Sequence, residues 1–185
     1  MNSLRAYFHK QNFKPGVLGV FTNPFFFARK NLYAGISQYA DFINGRILDV
    51  GCGRKPYQEV FTKANEYIGM DIENPGHDHT DESIDVLYDG KTFPFPDNSF
   101  DSVLTNQVFE HVFNPDDFIN EIYRVLKPGG NLLLTVPFVW DEHEQPNDYA
   151  RYSSFGIQHI LERHKFSIQS LTKSTRGIAA VSQLF

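Results

Sequence analysis

Residues 46–55, Arg-Ile-Leu-Asp-Val-Gly-Cys-Gly-Arg-Lys, constrain the fold more than any other stretch of this chain. Ile47 to Val50 read as a short buried strand carrying one carboxylate, Asp49. Gly51-Cys52-Gly53 reads as a tight turn, and polar residues follow in front of a predicted helix. A strand, a Gly-X-Gly turn and a helix start make a nucleotide-type binding loop, because glycine lets backbone approach a ligand and a helix N-terminus offers unpaired N–H groups.

The flanking segments extend this pattern. Phe25 to Ile43 has apolar residues near helical spacing (Phe27, Leu32, Ile36, Tyr39, Ala40, Ile43), and Gly45 stands where such a helix would end. That helix is expected to cover a sheet edge or to form a lid. After the turn, Tyr57 to Ala64 predict a short helix. Further strands are predicted at Tyr67–Asp71, Ile84–Tyr88, Phe100–Thr105, Asn131–Val136 and Phe166–Leu171. The run at 131–136 is nearly continuous in apolar residues, as in a strand buried on both faces. Helices are expected after Asn114-Pro115, with Asn as N-cap and acids in the first turn, and after Ser153-Ser154. Residues 177–185 read as weakly helical. Strands alternating with helices at this spacing indicate an α/β, Rossmann-like, doubly wound and mostly parallel sheet. The expected organisation is an N-terminal helical cap or lid over residues 1–44 and a binding domain over 45–185, forming one domain overall.

Composition narrows the partners. The formal net charge of −5 argues against a nucleic-acid backbone as main partner. One cysteine rules out an intrachain disulfide and fits a reducing, cytoplasmic setting. No run reaches transmembrane length, and residues 1–30 lack a signal-peptide core.

Three ligand classes use a strand–Gly turn–helix. A phosphate-binding P-loop needs Gly-Lys-Ser/Thr, whereas Arg54, Lys55 and Pro56 follow Gly53. A dinucleotide fingerprint needs a third glycine at the position held by Pro56. S-adenosylmethionine has no phosphates. It has a carboxylate for the glycine N–H groups, an ammonium for an acid such as Asp49, and a ribose whose hydroxyls would suit Asp71. An acid some twenty residues on is also expected for NAD, so Asp71 alone leaves both readings open.

The segments Asp49-Val50-Gly51-Cys52-Gly53, Asp71, Asp89-Gly90, residues 93–101 (Phe-Pro-Phe-Pro-Asp-Asn-Ser-Phe-Asp), Glu110-His111-Val112 and Leu126-Lys127-Pro128-Gly129-Gly130 stand in one order and spacing. In this they resemble class I S-adenosylmethionine-dependent methyltransferases, in particular the methyltransferase type 11 group, over roughly residues 45–165. The resemblance implies a cofactor site in which Asp49, Gly51, Cys52 and Gly53 line the methionine end. Asp71 takes the ribose, Ile72 flanks the adenine, Asp89 with Gly90 faces the adenine amino group, and Asn106 and Gln107 lie under the sulfonium. It implies S-adenosyl-L-methionine as cofactor and S-adenosyl-L-homocysteine as product. It also implies a seven-stranded sheet, whose last strand is missing or truncated here.

The expected function is methyl transfer to a small-molecule, glycan or lipid-intermediate acceptor. The alternative is a non-catalytic S-adenosylmethionine-binding protein serving as a partner. His111 and His143 are the candidate catalytic residues, as base or pocket wall. The run from His143 to Tyr152 reads as a substrate loop or as a helix-entry network built on an Asp148–Arg151 pair. Cys52 reads as a small buried turn residue and Phe25-Phe26-Phe27 as core. His77, Asp78, His79 and Asp81 read as a solvated loop, and no metal ligands are assigned.

Overall fold

A computed structural model describes Phe13, Lys14, Gly16, Asn23 and residues 25–73 and 83–175. Among these residues, five strands form one sheet in the order β3-β2-β1-β4-β5. They are β1 (Gly45–Val50), β2 (Ala64–Ile72), β3 (Val86–Tyr88), β4 (Phe100–Asn106) and β5 (Leu126–Thr135). Every pairing is parallel. The chain runs outward from β1 to β3, then returns to the other side of β1 with β4. The topological switch therefore lies between β1 and β4, where open α/β sheets bind ligands at their carboxyl ends.

The period-2 pattern of β1 sorts its side chains onto two faces. Leu48 and Val50 face a cluster shared with Val103, with Ile119, Ile122 and Val125 of α2 (Pro115–Val125), and with Ile157 and Leu161 of α3 (Ser154–Arg163). Ile47 faces the opposite side, with Leu104, Tyr57, Phe61 and Ile36 of α1 (Phe26–Tyr39). The helix expected at a sheet edge or as a lid instead covers a sheet face. Phe26 and Ile36 are its buried residues, and Ile36 joins the cluster around Ile47.

Several expectations are corrected. Tyr57–Ala64 makes only a 3-10 turn at Gln58–Val60. Asn114 occupies the N-cap position of α2 without a side-chain cap bond. The Ser153 hydroxyl does cap α3, accepting from Gly156 N at 3.1 Å. β5 is half-buried rather than sealed on both faces, because among the described residues it pairs only with β4. Residues 166–171 form no strand: Phe166 and Ile168 pack against the core while the backbone pairs with no sheet neighbour among the described residues. The Phe25–Phe27 run splits, with Phe26 buried and both neighbours exposed. Residues 177–185 and the group at His77, Asp78, His79 and Asp81 lie outside the described residues.

The Phe-Pro-Phe-Pro-Asp segment is clipped onto α2. The Arg124 guanidinium donates to the carbonyls of Phe93 (3.0 Å) and Phe95 (2.8 Å), to Asp97 and to Glu121. Glu121 in turn accepts from Phe93 N at 2.7 Å. This fixes the chain between β3 and β4 against α2.

Candidate active site

The turn after β1 is held by its neighbours. Gly51 N and Cys52 N donate to the Met70 carbonyl at 2.8 and 3.2 Å. Gly51 has φ +72°, and a Cβ there would meet Val108 Cγ2 at 2.2 Å. Glycine is required on both counts: a side chain would be strained, and it would fill the space where the β4 loop closes over the turn.

Asp71, at the end of β2, reaches back to this turn. Its Oδ2 accepts from Gly53 N at 2.9 Å and its Oδ1 from Ile72 N at 2.8 Å. Asp49 is buried, and its Oδ2 accepts from the Tyr67 hydroxyl at 2.6 Å. Burial pushes the Asp49 carboxyl up to about 7, against the pull of the Tyr67 hydrogen bond. The Cys52 side chain packs against Gly69, where a Cβ would come within 2.6 Å of Sγ, and burial raises its thiol pKa. Cys52 can therefore offer a ligand only its backbone.

The remaining predicted residues lie around the same edge. Ile72 is exposed and abuts Gly90, where a Cβ would meet Ile72 Cδ1 at 2.7 Å. Asp89 is exposed, and its Oδ1 accepts from Lys91 N and Thr92 N, which lowers its pKa. Asn106 and Gln107 are tied to β5: Thr135 Oγ1 donates to Asn106 Oδ1 at 2.6 Å, and Gln107 N donates to the Thr135 carbonyl at 3.0 Å.

These residues fit S-adenosylmethionine better than a phosphate-bearing ligand. Of the two cations after the turn, Lys55 is taken up by Asp85, which also accepts from Gly69 N at 2.7 Å. What faces the crevice is a glycine turn, two carboxylates and an apolar shelf at Ile72. That set suits a zwitterion, a diol and a flat ring.

The two candidate catalytic histidines, 32 residues apart, are brought together with Nε2 atoms 3.2 Å apart. His111 follows β4 in a 3-10 turn, Phe109–His111, and His143 follows β5 in a loop. Because β4 and β5 are neighbours, their carboxyl-end loops meet. His111 Nδ1 lies 2.8 Å from the Asn147 carbonyl, while Tyr149 N and Ala150 N donate to the Glu110 carbonyl at 2.8 and 3.2 Å.

The His143–Tyr152 run contains the expected network. The Arg151 guanidinium binds both Asp148 oxygens and the carbonyls of Trp140 and Asp141. That pairing holds the Asp148 carboxyl well below the usual carboxylate range. Asp148 Oδ2 accepts from His143 N at 2.9 Å. Glu110, which sequence reasoning treated only as half of a Glu-His pair, is fully buried, and burial raises its carboxyl to about 7. Phe113 and Tyr149 stand at this corner as exposed aromatic side chains, edge-on to one another at 5.3 Å, and Phe138 and Val139, in the loop after β5, are exposed as well. The sequence signals for this corner were the two histidine-bearing segments after consecutive strands. Only the adjacency of β4 and β5 joins them.

A family model described as a methyltransferase domain matches residues 48–134, from the core of β1 almost to the end of β5. Residues 48–134 of this chain are a methyltransferase domain. S-adenosylmethionine is the cofactor of this family. The chain is 33% identical over 114 residues to a fatty-acid O-methyltransferase of Mycolicibacterium smegmatis, covering 56% of this chain and 41% of that protein. It is 32% identical over 148 residues to the sterol 24-C-methyltransferase ERG6A of Gibberella zeae, covering 74% and 38%. The chain thus spans about two fifths of the length of these curated relatives. In fold it resembles a SAM-dependent methyltransferase from Archaeoglobus fulgidus, with a TM-score of 0.59, 21% identity, and coverage of 80% of this chain and 74% of that one. No helix among the described residues is long and apolar enough to cross a membrane.

Proposed function

We propose that this methyltransferase domain transfers a methyl group from S-adenosylmethionine to an apolar small molecule or lipid-like acceptor. The observation that carries the reading is the hydrogen bond from Gly53 N to Asp71 beside the switch point, which couples the glycine turn to a carboxylate suited to ribose. When bound, S-adenosylmethionine supplies an electrophilic methyl group on its sulfonium.

The chain's own part is binding and positioning. The turn 51–53, its N–H groups held by Met70 and Asp71, lets the methionine end approach bare backbone closely. Asp49 suits the ammonium, Asp71 the ribose hydroxyls, Ile72 and Gly90 the ring, and Asp89 its amino group. Asn106 and Gln107, anchored on Thr135, form the floor at the end of β4. α1, within the segment 1–44, serves as a cap of the same domain, with Ile36 packed on the sheet. An oxygen acceptor loses its proton beside His111 and His143.

The acceptor class is supported by the exposed aromatic pair Phe113 and Tyr149 beside those histidines, because water-facing aromatics beside a polar cluster suit an apolar molecule with one reactive head. Relatives named for fatty-acid and sterol methylation point the same way. The test is S-adenosylhomocysteine release over a panel of fatty acids, sterols, quinones and sugars. Turnover with apolar acceptors is expected. Turnover with sugars alone would overturn the acceptor class.

A further inference from the structure

The two histidines are held in the same way. His111 Nδ1 lies 2.8 Å from the Asn147 carbonyl. His143 Nδ1 lies 3.1 Å from the Asp141 carbonyl and 3.2 Å from Asp148 Oδ2. Carbonyls and ionised carboxylates only accept, so each Nδ1 carries the hydrogen and each Nε2 keeps its lone pair. The two Nε2 atoms lie 3.2 Å apart. Glu110 joins them, with Oε1 3.8 Å from His111 Nε2. Both of its carboxylate oxygens are buried without a hydrogen-bond partner. The three atoms lie within 4.8 Å of one another. Three side chains able to donate electron pairs converge here, an arrangement that a positive centre would satisfy.

We propose that Glu110, His111 and His143 bind one divalent transition-metal ion of the zinc, iron(II) or cobalt(II) kind, through Glu110 Oε1, His111 Nε2 and His143 Nε2. Metal–nitrogen bonds of about 2.0–2.1 Å, meeting at roughly 100–110°, put two imidazole nitrogens about 3.1–3.4 Å apart. The observed 3.2 Å is that edge. The backing of each ring by a carbonyl, and of His143 by Asp148, is the outer shell that metal-ligating histidines require. Two nitrogens and one carboxylate select against calcium and magnesium, which take oxygen ligands. Three protein ligands leave a coordination position open, and the part-exposed His143 ring gives the ion a way in.

The metal site stands on this geometry alone. Its use rests on the functional reading above: the open position would take the acceptor's oxygen, and the bound ion would ease loss of its proton, so the imidazoles act as ligands rather than as the base.

The test uses the full chain, stripped with a chelator and desalted. Cobalt(II) is titrated in without S-adenosylmethionine, followed by visible absorption, and metal retained after gel filtration is counted. One equivalent is expected, with the cobalt band bleached by zinc. His143→Ala changes a loop residue, and is expected to weaken zinc binding by at least roughly 100-fold, more than loss of an outer-shell partner does. Glu110→Gln keeps the side-chain volume in the core and is expected to lose retention as well, with thermal unfolding as the folding control. No retained metal, as for a histidine pair that merely shares a proton, overturns the site. So does uptake that His143→Ala and His111→Ala both leave unchanged. S-adenosylmethionine binding is measured separately on the same sample, so that failure of the metal site and failure of the cofactor site are told apart.

Discussion

At the residue scale, the buried acid Asp49 sets a testable pH dependence. In the unfolded chain an aspartate titrates near 3.9, and in the fold burial pushes Asp49 up to about 7. Between about pH 4 and 7 the folded chain holds a proton that the unfolded chain has released, so stability falls as pH rises across that window and levels off above it. The slope from one such group is at most about 1.4 kcal/mol per pH unit. Asp49→Asn is expected to remove this part of the slope, as measured by denaturant unfolding at pH 5, 6, 7 and 8.

Gly51→Ala is the second residue-scale case. A Cβ placed 2.2 Å from Val108, on a backbone at φ +72°, combines overpacking with strain. It is expected to cost about 2–4 kcal/mol in unfolding free energy. The glycine turn was legible in the sequence because the requirement is local. Its closest steric partner, Val108, stands far along the chain, after β4, and was not.

At the element scale, α2 carries two separate functions. Its apolar stripe, Ile119, Ile122 and Val125, seals one face of the sheet with no exposed surface on any of the three. Ile119→Ala is expected to cost about 2–5 kcal/mol, read from chemical denaturation. Its polar side, through Arg124, holds the 93–97 segment. Arg124→Ala is expected to cost about 1–3 kcal/mol and to raise hydrogen exchange at Phe93 N, because it strands two carbonyls and the Glu121 carboxylate.

The stripe and the Pro at the helix start were readable from spacing. The sequence at 166–171 shows why spacing alone misleads. Phe166 and Ile168 do alternate inward, as a strand would, but inward-facing side chains can be satisfied by the core without backbone pairing. Likewise, the apolar run at 131–136 cannot tell a central strand from one with a single described neighbour.

At the scale of the whole molecule, the order β3-β2-β1-β4-β5 is what makes scattered motifs into a site. It puts the ends of β1 and β2 side by side, so that Gly53 and Asp71 meet. It puts the ends of β4 and β5 side by side, so that His111 and His143 meet. The first meeting was foreseeable once a parallel sheet was assumed, because consecutive strands in such a sheet commonly pair. The second required knowing that β4 and β5 are neighbours and that the 141–151 loop folds back through Arg151 to the carbonyls of Trp140 and Asp141. Under the proposed function the glycine turn, Asp71 and Asp89 lie at the ends of β1 to β3, Asn106 and Gln107 at the end of β4, and the Glu-His-His corner in the loops after β4 and β5.

The central claim is that the glycine turn and Asp71 form the anchor of an S-adenosylmethionine pocket. Isothermal titration of the folded chain with S-adenosylmethionine tests it most directly. One-to-one binding is predicted, weakened tenfold or more by Asp71→Ala in a variant whose circular dichroism is unchanged. Absence of binding by the folded chain, or an affinity that Asp71→Ala leaves unchanged, would contradict it.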